Sequence, residues 1–309
     1  MVISEILTSL VMIFLLIIPG IIFRKKDIIS AAQSDGISSL AVNITWPCLV
    51  VDAMQMDFSA AVLKDSGYMM AAAMVVFAMT AVVTLVLSKL LRLDNSKRYI
   101  TAFMLLFGNT GFIGIPVIRA LYGTEAVFFA AILEMVNDVV IFTIGMMLIQ
   151  MSAGAKLRFE PKLFLNPGLI GVIVGLLLFL LDIRLPEVIG GAVEMVGDAT
   201  TPLTMFIIGY QLGGLKAKEI LKDASIYVIS FTKLLIVPVL ALIVLRVAVG
   251  DFSLLEKVLI MSFAMPAGSV SVIFSQQYRG ETAFATKTVL LSTLFSIVTI
   301  PVFAVMMEM

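Results

Sequence analysis

The stretch FGNTGFIGIP, residues 107–116, decides the fold together with its counterpart AMPAGSVSVI, residues 264–273. Each lies within an apolar run long enough to cross a bilayer, and the two contain these helix-weakening residues: Gly108, Gly111, Gly114, Pro116, Pro266 and Gly268. Proline removes an intrahelical donor and glycine lowers the cost of non-helical backbone, so both helices are expected to open near the bilayer midplane. Open backbone at that depth occurs only in packed protein or at a wet cavity, so two broken helices in one chain indicate a substrate site.

The composition is that of a membrane protein. Of 309 residues, 61% are hydrophobic and 14% charged, and the mean hydropathy is +1.12, which is too apolar for a soluble domain. The 21 basic and 21 acidic residues balance, so no nucleic-acid partner is expected. The chain has no histidine and one cysteine, Cys48, which removes the commonest general base and metal ligand and any intrachain disulfide. We therefore expect no cofactor and no enzymatic activity.

Apolar runs of roughly 20 residues predict ten membrane-spanning helices. They cover residues 4–23, 33–54, 66–90, 98–120, 125–150, 163–182, 188–213, 224–247, 254–277 and 283–306. The connections between them are short, so the sequence predicts one compact all-α membrane domain with no soluble appendage.

The charge distribution predicts the orientation of the helices. Alternate connections beginning after the first helix carry fifteen Lys and Arg residues, and the other set carries five. The larger set includes Lys216, Lys218 and Lys222. Because positive connections stay in the cytoplasm, both termini are expected outside. The first apolar run has its basic cluster after it rather than before it, so we expect a retained helix and not a signal peptide.

Weak internal similarity predicts two repeats, residues 1–156 and 157–309. NITWP at residues 43–47 aligns with DATTP at residues 198–202 at an offset of 155. GNTGFIG at residues 108–114 aligns with MPAGSVS at residues 265–271 at an offset of 157, which also pairs Gly123 with Gly280. Five helices in each half place the second repeat upside down relative to the first, an arrangement that serves alternating access.

The motif GNTGFIGIP, the prolines of predicted helices two and seven, and the broken helix nine make the chain resemble the auxin efflux carrier family. The resemblance implies a fold like that of the bile-acid sodium symporters, in which helices four and nine cross. Helices one, two, six and seven would form a scaffold, through which two copies associate as a homodimer. Helices three to five and eight to ten would form the transport core. Where relatives often carry asparagine in helix nine, this chain has Ser269 and Ser271.

The breaks provide the candidate substrate site. A half-helix that begins at a break exposes backbone N–H groups and a dipole that favours an anion there by about 0.3 to 2 kcal/mol. The alternative is a glycine-rich kink that only lets helices pack closely. The candidate substrate-binding residues are Asn109, Thr110, Gly111, Pro116, Pro266, Gly268, Ser269 and Ser271, with Asn43 and Pro47 of the second helix.

Four polar residues are candidates for coupling to a proton or to sodium. Glu134, Asn137 and Asp138 lie at i, i+3 and i+4 of one helix and therefore share a face. An ionised side chain at mid-membrane costs at least about 2.5 kcal/mol, so it usually marks an ion path. Asp198 is the fourth candidate. The alternative is structural: an acid could pair with Lys233, the one basic residue deep in a predicted span, or Lys233 could counter-charge an anionic substrate.

These observations predict a secondary transporter of a small organic anion, auxin-like or a dicarboxylate such as malate or malonate, in a bacterial cytoplasmic membrane. No phosphate-binding loop is present, so an ion or substrate gradient must drive transport. A sodium-coupled symporter of the bile-acid carrier type is the closest alternative. A non-transporting ligand sensor and an intramembrane enzyme are the alternatives from other classes.

Overall fold

The computed structural model describes residues 3–214 and 223–308, which are helical with no β-strand. The predicted all-α class is thus confirmed for this part of the chain. An isolated antiparallel bridge joins Gly108 to Ala267. Lys216, Lys218 and Lys222, which entered the prediction of orientation, lie outside the described residues.

Helices occur in all ten predicted stretches, and several of them are interrupted. In the first half they are Ile3–Leu15, Ile17–Lys25, Ala31–Leu40, Trp46–Ala53, Ala60–Leu90, Asn95–Leu106, Ile115–Tyr122, Thr124–Val140 and Met146–Ser152. In the second half they are Pro167–Leu180, Glu187–Asp198, Thr200–Gly213, Ala224–Phe231, Val237–Val249, Leu254–Phe263, Val270–Gln277 and Thr282–Met306. The third predicted helix begins at Ala60 rather than at residue 66, and the sixth begins at Pro167 rather than at residue 163.

Within residues 3–214 and 223–308, six helical stretches are long and apolar enough to cross a membrane. They are Ser4–Lys25, Ala31–Ala53, Ala60–Leu90, Thr124–Ser152, Ala224–Val249 and Thr282–Met306. Thr110–Tyr122 and Pro167–Leu180 are shorter apolar helices. Because the bilayer core requires about 20 apolar residues per helix, the six long stretches make this a multi-pass membrane protein.

Four single turns of π-helix interrupt the longer helices, and proline explains three of them. Pro47 follows the turn Ala41–Thr45, Pro116 follows Thr110–Gly114, and Pro238 follows Thr232–Ile236, each at the start of the next helix. Proline has no N–H for the carbonyl four residues earlier, so the preceding turn widens. Such π-turns are frequent at functional sites.

The first break is narrower than predicted. Helix Asn95–Leu106 is followed by only three non-helical residues, 107–109. Gly111 and Gly114 lie in the π-turn, and Pro116 is the second residue of the next helix. The second break covers residues 264–269 and includes Pro266 and Gly268, as predicted. Predicted helix seven is interrupted at Ala199, three residues before Pro202.

The described residues cluster into two compact units, of which the first contains residues 3–69, 111–135 and 161–214. Within it, helix Ile17–Lys25 packs against Thr200–Gly213 at two glycines. A Cβ added to Gly20 would lie 2.7 Å from the Tyr210 nitrogen, and one added to Gly209 would lie 3.1 Å from the Gly20 Cα. Small residues of this kind allow two membrane helices to approach closely.

Residues of the first unit that lie 155 positions apart make related contacts. The Thr200 hydroxyl donates a 3.0 Å hydrogen bond to the Thr45 hydroxyl, and both side chains are buried. Gly20 packs against Gly209 in one helix pair, and Gly175 packs against Met54 in another. Gly175 lies 155 residues after Gly20, and Met54 lies 155 residues before Gly209. The offset that aligns NITWP with DATTP therefore also relates two helix contacts.

The second unit contains residues 70–110, 136–160 and 223–308. Its core includes a cluster of phenylalanine rings beside the two breaks. The Phe77 ring lies 5.9 Å from the Phe107 ring and 5.1 Å from the Phe263 ring, and Phe103 lies 4.8 Å from Phe107. Because Phe107 and Phe263 adjoin the two breaks in sequence, this cluster holds both breaks against one apolar core.

Candidate functional site

The two breaks of the second unit meet backbone to backbone. The Asn109 N–H donates to the Pro266 carbonyl at 2.7 Å, and the Gly268 N–H donates to the Phe107 carbonyl at 3.1 Å. A third backbone group, the Ala267 N–H, donates to the Ser292 hydroxyl at 3.2 Å. Each break thus satisfies hydrogen-bonding groups that a continuous helix would have used, which is what allows open backbone inside a membrane.

Glycine fits the crossing because the two backbones approach closely there. A Cβ on Gly268 would lie 3.0 Å from the Gly108 carbonyl oxygen, and a Cβ on Gly108 would lie 3.3 Å from the Met265 Cβ. Both distances are short for a carbon atom, so a larger residue would separate the breaks. The glycines predicted to open the helices therefore also bring the two breaks together.

Buried amide side chains extend from the crossing. Asn109 Nδ2 donates to the Ser269 hydroxyl at 3.2 Å, and Asn137 Nδ2 donates to the Thr110 hydroxyl at 3.3 Å. Asn109 and Asn137 are 5% and 7% exposed. The structure thus brings together Asn109 with Ser269 and Asn137 with Thr110, which are neutral donors and acceptors able to orient a carboxylate.

The remaining predicted substrate residues have local partners. The Ser271 hydroxyl donates to the Gly268 carbonyl at 2.7 Å and stabilises the start of helix Val270–Gln277. Asn43 is exposed, and its Nδ2 donates to the Ser39 carbonyl one turn earlier at 2.8 Å. Pro47 packs against Gly171, whose added Cβ would lie 2.9 Å from the Pro47 Cα. Pro116 is buried near the start of its helix.

The predicted coupling residues lie on helix Thr124–Val140 or near it. Glu134 and Asp138 are half-buried and Asn137 is buried. Glu134 Oε1 lies 3.6 Å from the position that a Cβ on Gly111 would take, so this carboxylate faces the side of Gly111 that has no side chain. Asp198 forms an ion pair with Arg119, with Nη2 and Oδ1 2.5 Å apart. The sequence did not predict Arg119 as its partner.

Lys233 has a partner that the sequence did not indicate. Its side chain is 1% exposed, and Nζ donates to the Leu105 carbonyl at 3.0 Å. In the part of the chain that the structure describes, no carboxylate lies within ion-pair distance of it. Of the two alternatives for Lys233, pairing with a core acid is not observed among the described residues; the acceptor is a backbone carbonyl at a helix end.

The second unit also contains a cavity that does not include the residues of the crossing. This cavity of about 540 Å³ is lined by Tyr227, Val228, Phe231, Leu234, Leu235, Phe295, Val298 and Thr299. These side chains are mostly apolar and include no charged group. The cavity therefore lacks the charged or amide groups that would orient an anion, whereas the crossing has them.

The amino-acid sequence is similar to that of known membrane transport proteins. The sequence model of the membrane transport protein family matches residues 5–161 and matches again over residues 157–304. An uncharacterized transporter of Methanothermobacter thermautotrophicus is 20% identical over 297 residues, which are 96% of this chain and 96% of that protein. The similarity to these proteins thus covers nearly the whole chain.

Proposed function

The chain belongs to the membrane transport protein family, the family of the auxin efflux carriers, and from this premise we propose that it is a secondary transporter of a small organic anion. The family is one of transporters, and the chain is a multi-pass protein of the lipid bilayer. We propose an auxin-like acid or a dicarboxylate such as malate or malonate as the substrate. We propose that the protein moves this substrate across the membrane and does not change it chemically.

One observation carries the proposal: the two breaks are joined by backbone hydrogen bonds and have buried amide side chains beside them. The start of helix Val270–Gln277 provides a positive dipole end next to Ser269. Asn109 and Asn137 add N–H donors that a carboxylate can accept from. The Ser269 hydroxyl, which accepts from Asn109, is neutral, and hydrogen bonds to a charged acceptor are roughly twice as strong. A carboxylate can therefore compete for these donors.

Alternating access would arise from the two inverted repeats, residues 1–156 and 157–309. Two observations support the duplication: the family model matches each half, and residues 155 apart make related helix contacts. In this proposal helices one, two, six and seven are the scaffold and the homodimer surface. Helices three to five and eight to ten are the core that carries the anion.

Coupling to a proton or to sodium is proposed at Glu134, Asn137 and Asp138, with Asp198 as a further candidate. The bond from Asn137 to Thr110 supports this choice, because it connects the polar face of one helix to the turn after the first break. A sodium-coupled symporter using the same residues is the alternative. We place the protein in a bacterial cytoplasmic membrane with both termini outside, in line with the bias of positive residues.

Thermal unfolding of the detergent-purified protein tests the substrate class. Ligands that bind the folded state raise the melting temperature by mass action. We expect at least one of malonate, malate and indole-3-acetate to raise it, and the rise to disappear in Asn109→Ala. Asn95→Ala is the matched control, since Asn95 is an exposed residue at the start of a helix. The organic-anion proposal is contradicted if no acid shifts the wild type, or if Asn109→Ala responds as the wild type does.

A further inference from the structure

Lys233 is a buried ammonium group within a membrane-spanning helix, and the transport proposal does not yet use it. It lies in the π-turn Thr232–Ile236, in the middle of the stretch Ala224–Val249. A charged side chain at that depth is costly and normally marks a functional position. Its position relative to the first break indicates what the function is.

The break itself provides the acceptor for Lys233. In a continuous helix the Leu105 carbonyl would accept the N–H of Asn109, four residues later. The Asn109 N–H donates instead to Pro266, at 2.7 Å. The Leu105 carbonyl, at the negative end of helix Asn95–Leu106, accepts from Lys233 Nζ at 3.0 Å. The lysine thus compensates for a hydrogen bond that the crossing removes.

Among the described residues, the helices that pack most closely against this turn carry no acidic side chain. Four helices pack most closely against it: Ala224–Phe231, Val237–Val249, Asn95–Leu106 and Thr282–Met306. None of them contains Asp or Glu. The hydrogen bond that holds the Lys233 amino group therefore goes to a backbone carbonyl and not to a carboxylate.

Two buried hydroxyls, each one turn along its helix from a partner of this contact, have no hydrogen-bond partner among the described residues. They are Ser230 Oγ, one turn before Lys233, and Thr101 Oγ1, one turn before Leu105. Both side chains are 0% exposed, and a buried hydroxyl without a partner costs about 1 to 3 kcal/mol. Carbonyl and hydroxyl oxygens are ligands that a hard cation takes. The two helices that contribute Lys233 and Leu105 thus each carry a further oxygen that has no partner.

We propose that the Lys233 ammonium is a built-in cation that occupies the position of a coupling sodium ion at the end of the first half-helix. In broken-helix transporters the C-terminal ends of half-helices and unwound carbonyls coordinate the coupling cation. A covalently attached cation there removes the requirement for sodium. The inference rests on the proposed function, because it takes the breaks to be the transport site. At the offset of 157, the counterpart of Lys233 is Val76, a buried apolar residue, so the built-in cation belongs to one break alone.

The test compares sodium with an inert cation and contains no organic acid. Thermal unfolding of the purified full-length protein is measured in NaCl and in choline chloride at equal concentration, for the wild type, Lys233→Met and Lys257→Met. Lys257 pairs with Glu308 at 2.7 Å and is the control for loss of a lysine. We expect equal melting temperatures in the two salts for the wild type and for Lys257→Met. Lys233→Met is expected to have a lower melting temperature than the wild type in choline chloride. Saturating NaCl is expected to raise the melting temperature of this variant by about 2 °C or more.

A second variant tests the oxygen ligands. In Lys233→Met/Thr101→Val the sodium-specific rise is expected to disappear, because one hydroxyl ligand is gone. A sodium-specific rise in the wild type overturns the proposal, and so does a Lys233→Met protein that ignores sodium. If Lys233→Met does not fold in choline chloride, recovery of the folded protein in NaCl supports the proposal, and failure to fold in both salts overturns it. The result is independent of the organic-acid experiment with Asn109→Ala, so failure of either proposal is recognised separately.

Discussion

Asn109 and Pro266 are joined by a 2.7 Å backbone hydrogen bond, and they lie 157 residues apart, the offset that aligns the two broken helices. Positions that correspond in the two repeats therefore meet at the point where both helices open. Two inverted copies of one element can meet in this way at a pseudo-two-fold axis. The substrate site that we propose lies at this contact, where neither half alone would satisfy its open backbone.

Gly268→Ala should destabilise the protein. Its Cβ would lie 3.0 Å from the Gly108 carbonyl oxygen and would separate the two breaks. Overpacking of this kind costs about 1 to 3 kcal/mol, which thermal unfolding in detergent will measure. Gly191→Ala is the matched control, because a Cβ there meets nothing within 4 Å. Equal stability of the two variants would show that the crossing accommodates a Cβ at residue 268 without loss of stability.

Asn109→Asp should weaken the binding of the organic anion about tenfold or more, because a hydrogen bond to a charged group contributes roughly 1.5 to 3 kcal/mol. The substitution preserves the shape of the side chain, removes its N–H donor and adds a negative charge beside Ser269. Titration with the acid identified by thermal unfolding gives the affinity. Asn95→Asp, at an exposed helix start, is expected to bind as the wild type does, and a normal affinity in Asn109→Asp would remove Asn109 from the site.

Thr45 and Thr200 should be energetically coupled. A double-mutant cycle with Thr45→Val and Thr200→Val is expected to give a coupling free energy of about 0.6 kcal/mol, the typical value for a polar contact between membrane helices. Unfolding of the single and double variants in detergent provides the four stabilities. Additive effects would mean that the 3.0 Å bond between these hydroxyls contributes nothing to stability.

Glu134→Gln should uncouple transport of the substrate from the ion gradient that drives it. In proteoliposomes we expect the variant to retain exchange of the anion across the membrane but to lose the response to a pH or sodium gradient, since the amide cannot be ionised. Glu125→Gln changes an exposed carboxyl in the first turn of the same helix and should behave as the wild type. Gradient-driven uptake that persists in Glu134→Gln would move the coupling role to Asp138 or Asp198.

Asp223 should contribute to stability in a pH-dependent way. Hydrogen bonds from Ser225 hold the pKa of this carboxyl below its usual value, with burial acting in the opposite direction. Because the pKa is lower in the folded state, the stabilisation is present above the unfolded pKa and is lost as pH falls through the folded pKa. Asp223→Asn should therefore show a smaller loss of melting temperature on acidification than the wild type. The effect should be small, since the side chain is 39% exposed.

The residues around the crossing show which parts of the site the sequence could predict. The glycines and prolines of both breaks follow from local conformational preference. The structure opens the helices at Gly108, Pro266 and Gly268, whereas Gly111, Gly114 and Pro116 lie in helical turns. The structure also pairs Asn109 with Ser269 and Asn137 with Thr110, which spacing along single helices could not show. Ser292 and the carbonyls of Phe107 and Pro266 were missed, because any residue type can supply a backbone acceptor.

The sequence by itself determined the membrane class, the helical architecture and the positions of both breaks. Apolar composition, helix length and the chemistry of proline and glycine act locally, so they can be read without knowing what lies nearby. Only the tertiary structure decided the partner of Lys233, a carbonyl 128 residues away. That acceptor becomes available because the crossing diverts the N–H of Asn109, and such a long-range exchange of hydrogen bonds leaves no pattern in the sequence.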